Sequence, residues 1–188
     1  MYDDTEILPA SRVLEEPAEQ SVTPPNPVWR DLARLLVKII AVGVTFGLVF
    51  SFSHGIVRNT DPAMAPTVGG GDLVMFYRLN KNYVAGDVLL LRHNGQNQIR
   101  RVVATAGDVV DITEDGLVIN GSLQQEPDIY QPTNRYADGI SLPVTVGPGQ
   151  VFVLGDARQN ATDSRVYGPV NIKDTLGKVI TIIKWRDL

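Results

Sequence analysis

Val109-Val110-Asp111-Ile112-Thr113-Glu114-Asp115-Gly116-Leu117-Val118-Ile119-Asn120 reads as two short apolar runs on either side of an Asp-Gly turn. Gly116 supplies the positive φ that a tight hairpin turn requires, so the stretch predicts a β-hairpin. Working outward, the same pattern recurs. LVMFY (73–77), VLLLR (88–92), RRVVA (100–104), VFVLG (151–155) and VITIIKW (179–185) are short runs rich in β-branched and aromatic residues. Between them lie Ala85-Gly86-Asp87, Ala106-Gly107-Asp108, Asn120-Gly121, Asp138-Gly139 and Pro148-Gly149, which are turn chemistry. Residues 58–188 therefore predict an all-β, mainly β domain, with no solenoid or propeller period.

Upstream the pattern changes. LLVKIIAVGVTFGLVFSFSHGI (35–56) is apolar almost throughout, which matches the ~20 residues a helix needs to cross a bilayer. A transmembrane helix is expected over 34–57, with Lys38 snorkelling near its start. Arg30, Arg34 and Lys38 cluster on the N-terminal side, so the positive-inside rule places that side in the cytoplasm and the β domain outside the cell. A cleaved secretory signal fits less well, because the leading segment is long and no small-x-small pattern follows. A buried core helix of this length is rarer still. Residues 1–33, acidic and carrying Pro17, Pro24, Pro25 and Pro27, predict a disordered cytoplasmic tail.

With 188 residues, one anchor plus one domain fills the chain. A formal net charge of −4 and scattered cations argue against nucleic acid as a partner. The absence of cysteine removes disulfides and thiolate metal sites. The two histidines, His54 and His93, are not in ligand-like spacing, so neither a metal nor a small-molecule cofactor is expected.

Three segments carry the chemistry. They are Asp61-Pro62-Ala63-Met64-Ala65-Pro66-Thr67-Val68 with Gly71-Asp72; Ile99-Arg100-Arg101-Val102-Val103-Ala104-Thr105-Ala106-Gly107-Asp108; and Gly155-Asp156-Ala157-Arg158-Gln159-Asn160-Ala161-Thr162-Asp163-Ser164-Arg165-Val166-Tyr167-Gly168. In order and spacing they resemble the boxes of type I signal peptidases, serine-lysine enzymes that trim secretory leaders. Those boxes read SMxPT with GD, KRVxGxxGD, and GDNRxxSxDSRxxG. Any one alone is weak, whereas all three behind an anchor are specific.

The resemblance implies a signal-peptidase-type β domain. It also assigns roles, and several of the positions it assigns are chemically empty. The nucleophile position holds Ala63, whose methyl has no oxygen. The general-base position holds Arg100, and a guanidinium stays protonated in proteins. The lysine-support position holds Ala161. The oxyanion-side position holds Asp61, whose carboxylate would repel a developing oxyanion. The scaffold positions Met64, Pro66, Thr67, Asp156, Arg158, Asp163, Ser164 and Arg165 match the family, with Asp163 and Arg165 expected as an ion pair behind the site.

The expectation is a catalytically inactive, membrane-anchored homologue that binds an extended peptide or a secreted protein. Similar non-catalytic relatives accompany Gram-positive pilus assembly, which implies pilins and sortase as partners by analogy. Two alternatives stand: an active leader peptidase with an atypical or mutated site, and a structural spacer of the envelope.

Overall fold

The computed structural model describes residues 27–185. Residues 1–26 of the expected disordered tail lie outside them. The chain divides between Gly43 and Val44 into two compact units. Helix α1, Pro27–Ser53, opens with proline at its first position, where a missing N–H is harmless and φ is already set. Residues 27–33 are therefore helical rather than tail. The helix is long and apolar enough to cross a membrane, which fits a single-pass anchor.

The expected span over 34–57 also ends too late. Ser53 Oγ folds back on the Val49 carbonyl at 2.8 Å, and the chain passes with no linker into strand β1, His54–Arg58. Strand pairing explains the switch. β1 lies antiparallel to β2, Leu73–Tyr77, from His54 opposite Tyr77 to Arg58 opposite Leu73. Here backbone groups find partners that a continued helix would have to make internally.

The remaining strands follow in order. They are β3 (Val88–His93), β4 (Gln96–Thr105), β5 (Val109–Thr113), β6 (Gly116–Ile119), β7 (Ser122–Leu123), β8 (Val144–Thr145) and β9 (Gln150–Leu154), with helix α2 at Ser164–Tyr167 and then β10 (Val170–Asn171) and β11 (Thr175–Ile183). Seven strands form one antiparallel sheet in the order β1-β2-β11-β3-β4-β9-β10, and four form a second in the order β7-β6-β5-β8. The mainly β class expected from the sequence is observed. The predicted hairpin is β5 with β6, where Thr113 faces Gly116 and Gly116 carries φ +125°.

Val74, Phe76, Leu90, Ile99, Met64 and Val68 pack into one core cluster beneath the first sheet. Leu154, Phe152, Val110 and Ile112 join the two sheets in another. Alternation along β2 explains the division, since Val74 and Phe76 point inward while Leu73, Met75 and Tyr77 point out. β11 bends around a bulge at Gly177, where a Cβ would lie 2.2 Å from the Tyr77 carbonyl oxygen.

Candidate active site

A short 3₁₀ turn, Pro62–Met64, carries Ala63 into the interior. Asp61 is its N-cap, accepting the Ala63 N–H through Oδ1 at 2.9 Å. Asn59 holds the approach to this turn. Its side-chain amide donates to the carbonyls of Asp61 (2.8 Å) and Gly69 (2.9 Å), while its Oδ1 accepts from Asp61 N–H. Ala63 is fully buried, and its carbonyl accepts from Ala157 N–H at 2.9 Å. Gly155 makes this closeness possible, because a Cβ there would sit 2.6 Å from the Ala63 carbonyl oxygen and 2.4 Å from Ala161 Cβ. The Ala161 methyl and the Ala63 carbonyl thus both crowd the position that a side chain at 155 would take.

Arg100, on β4, is 1% exposed. Its Nη1 meets Asp61 Oδ2 at 2.7 Å and the Ile99 carbonyl at 2.6 Å. Its Nε and Nη2 both donate to the Thr162 carbonyl, at 3.0 and 2.7 Å. The guanidinium is therefore paired and multiply hydrogen-bonded, the condition under which a buried charge is tolerated. One Asp61 carboxylate serves two donors, Ala63 N–H and Arg100. That arrangement joins the first and second sequence segments by a charge pair and leaves no neutral amine or imidazole beside Ala63 among the described contacts.

The third segment braces this turn. Asp156 accepts from Arg101 Nε and Nη2 at 2.8 and 2.7 Å, and from Thr67 Oγ1 at 2.5 Å. The Asp156 carboxylate holds the Arg101 guanidinium pKa above its ordinary value. Asp163 and Arg165 do form the expected ion pair, and both are buried, with contacts at 2.9 and 2.8 Å. Asp163 also accepts Gly155 N–H at 3.0 Å, and Ser164 Oγ accepts Val153 N–H at 3.0 Å. Ser164 therefore serves the strand. An exposed surface pair would contribute little, whereas these groups sit inside the fold and fix Gly155. Arg158 pairs with Glu126 and donates to Thr133 Oγ1. Met64 is fully buried in the core, and Pro66 follows a cis peptide bond.

Several participants carried no signal in sequence. Tyr136 donates its hydroxyl toward the carbonyls of Arg158 and Ala161, both at 3.0 Å. Glu126 belongs to a loop distant in sequence from Arg158. Tyr167 stacks on His93 with ring centroids 4.2 Å apart. Burial pushes the Tyr167 phenol well above its ordinary value, so it stays protonated at neutral pH despite the nearby Arg100 charge. His54 does contact a hydroxyl, Ser53 Oγ at 2.8 Å. That hydroxyl already bonds the Val49 carbonyl at the helix end, and neither residue lines the groove described next.

A groove of about 540 Å³ opens beside Asp61, lined among others by Val57, Thr60, Leu90, Gln96, Gln98 and Ile99. It runs between two strand edges that lack partners over this length. β1 is the outermost strand of its sheet, and β4 pairs with β9 only from Arg101 onward. Ala63 and Arg100 lie behind this groove and Asp61 in its wall.

The profile of the family described as signal peptidase, peptidase S26, matches residues 29–185. Signal peptidase I of Bacillus licheniformis is 32% identical over 145 residues, 69% of this chain and 76% of that protein. A probable thylakoidal processing peptidase 2, chloroplastic, of Arabidopsis thaliana is 29% identical over 157 residues, 76% of this chain and 42% of that protein. A solved signal peptidase I from Enterococcus faecalis shares 27% identity with a TM-score of 0.46, covering 53% of this chain and 97% of that one.

Proposed function

The chain belongs to the signal peptidase family, peptidase S26, and from that premise we propose that it is a non-catalytic member, anchored by α1, which binds an extended peptide or protein segment on the outer face of the membrane. One observation carries this reading: Arg100 is ion-paired with Asp61 behind a fully buried Ala63. A nucleophilic mechanism of the serine-lysine kind needs a hydroxyl and an amine that can shed its proton. The methyl of Ala63 and the guanidinium of Arg100 offer neither. Asp61 Oδ1 also takes the Ala63 N–H, a donor that could otherwise stabilise an oxyanion.

Binding needs none of these groups. The two open edges, β1 and the Gln96–Arg100 part of β4, offer main-chain hydrogen bonds to an inserted strand, and the groove between them offers side-chain pockets. As client we propose a secreted protein, with pilins and their sortase as the instance suggested by non-catalytic relatives. The cations Arg30, Arg34 and Lys38 at the start of the helix support the outward orientation in this reading, by the positive-inside rule.

The relatives carry the names of peptidases, which favours a second reading: a leader peptidase with an atypical site. Incubating the detergent-solubilised chain with a preprotein at equimolar amounts separates the two. No cleavage with retained peptide binding is the expected outcome. Cleavage at a defined leader boundary, abolished by no contaminant-protease inhibitor, overturns the proposal.

A further inference from the structure

Resting on the reading that the groove binds an extended segment, we propose that this segment presents a neutral hydrogen-bond donor, a hydroxyl or carboxamide side chain, to Asp61. A small apolar side chain or a cation is disfavoured at that position. Asp61 and Arg100 together then set the class of client, beyond filling the place of a nucleophile and a base.

The Asp61 carboxylate is only partly spent. A carboxylate offers about four lone-pair sites, and the described hydrogen bonds draw on Oδ1 for the Ala63 N–H and on Oδ2 for Arg100 Nη1. The Asp61 side chain is 24% exposed and lines the groove, so a segment that fills the groove displaces water from it. Thr60, its neighbour in sequence, is exposed and lines the groove too. Elsewhere the lining includes Leu90 and Ile99, which are buried members of the core, and Val57, which packs against them. An extended segment alternates its side chains, so its residues meet a polar wall and an apolar floor at different positions.

Charge decides which side chain suits the wall. Arg100 is buried, and Asp61 is its carboxylate partner among the described ion pairs. The nearby acids Asp156 and Asp163 are paired with Arg101 and Arg165. Tyr167 feels the charges of both Arg100 and Asp61, and burial keeps its phenol protonated and neutral. The charge at this wall therefore sums to about zero. An incoming ammonium gains Asp61 but meets the Arg100 guanidinium behind the same carboxylate, and like charges brought together at an interface are disfavoured. An incoming carboxylate meets Asp61 itself. A methyl group strips water from the carboxylate and returns no hydrogen bond, which lowers affinity by about tenfold or more. A hydroxyl or carboxamide replaces the water and adds no charge.

The test uses the full chain in lipid nanodiscs, with empty nanodiscs subtracted, and fluorescein-labelled octapeptides of alternating valine and glycine. Each position in turn carries alanine, serine, asparagine or lysine, and affinity is read by fluorescence anisotropy. At one position serine and asparagine should bind about tenfold more tightly than alanine or lysine. In Arg100→Met the carboxylate loses its counter-charge, and lysine should become the tightest binder at that same position. Asp61→Leu with Arg100→Met removes both charges and should bring serine and alanine within about twofold of each other. The ranking on the parent chain stands even where a variant fails to fold. Alanine peptides binding the parent as tightly as serine peptides at every position overturn this client class and leave peptide binding intact. An unchanged order in folded Arg100→Met also overturns it, because the preference would then arise away from Asp61. Absence of binding by every peptide overturns the binding reading itself, and the client class with it.

Discussion

Asp61 is the residue on which the site turns. It satisfies the Ala63 amide and neutralises Arg100 at once, so removing it leaves a buried cation short of its counter-charge. In a double-mutant cycle of Asp61→Asn and Arg100→Met, followed by thermal melting in detergent, the pair should couple by about 2 kcal/mol. Additive single effects would show that the two side chains are neighbours without interaction. The same geometry predicts the result of reversion. Ala63→Ser with Arg100→Lys places a hydroxyl and an amine in the site, but Asp61 remains within reach to hold the new ammonium protonated, since an opposite charge favours the charged form. Preprotein turnover should stay at background. Adding Asp61→Ser is the step expected to raise it, and robust turnover by the double reversion alone would remove Asp61 from this role.

At the level of elements, the β2–β11–β3 seam depends on a bulge that only glycine accommodates. Gly177 has φ +157°, and a Cβ would press on the Tyr77 carbonyl at 2.2 Å, which is sheet backbone that cannot swing away. Gly177→Ala should destabilise by about 3 kcal/mol. Gly95→Ala, in the tight turn between β3 and β4, has positive φ but open space, so only the left-handed penalty of ~1–2 kcal/mol applies. Chemical denaturation of the two variants should rank them in that order, and equal losses would mean that strain rather than contact governs the bulge.

For the molecule as a whole, acid should loosen the closure of the chain on itself. Burial would raise the Asp72 carboxyl, but the N–H groups of Trp185 and Gly69 and the ammonium of Lys184 outweigh it and hold its pKa below the ordinary 3.8. Asp72 thereby ties the end of β11 to the segment following the 3₁₀ turn, with Trp185 N–H at 2.9 Å. The Thr105 N–H and the Asn120 amide lower Asp108 similarly. A depressed folded pKa means stability that is fully present above the unfolded value. It is lost as pH falls below about 3.8 through the folded pKa. Melting temperatures of the parent should therefore drop on acidification below that point. Asp72→Asn should be less stable at neutral pH by ~1–3 kcal/mol and should show a shallower acid decline. Parallel acid limbs for the two proteins would exclude Asp72 as a contributor.

Much of this architecture was legible in the residues. The runs 73–77 and 109–113 coincide with β2 and β5, because alternation and flanking turn glycines state both the period and the ends of a strand. The junction at 53–58 was not legible. His54-Gly55-Ile56 continues an apolar run, and only pairing with β2 turns it from helix to strand. Short strands such as β8 and β10 escaped for the same reason, since two residues carry no period and exist through their partners. At the candidate site, side-chain chemistry alone says what Ala63 and Arg100 lack. The sequence thus determined a mainly β chain behind an apolar helix, with a methyl and a permanent cation where the family resemblance expects a hydroxyl and an amine, because these follow from local period and functional groups. The Asp61–Arg100 pair could be expected from the resemblance and is observed at 2.7 Å; only the tertiary structure decided that Ala63 is fully buried beside it and that β1 faces an open edge of β4 across the groove. Those facts depend on distances between segments far apart in the chain, which no local pattern encodes.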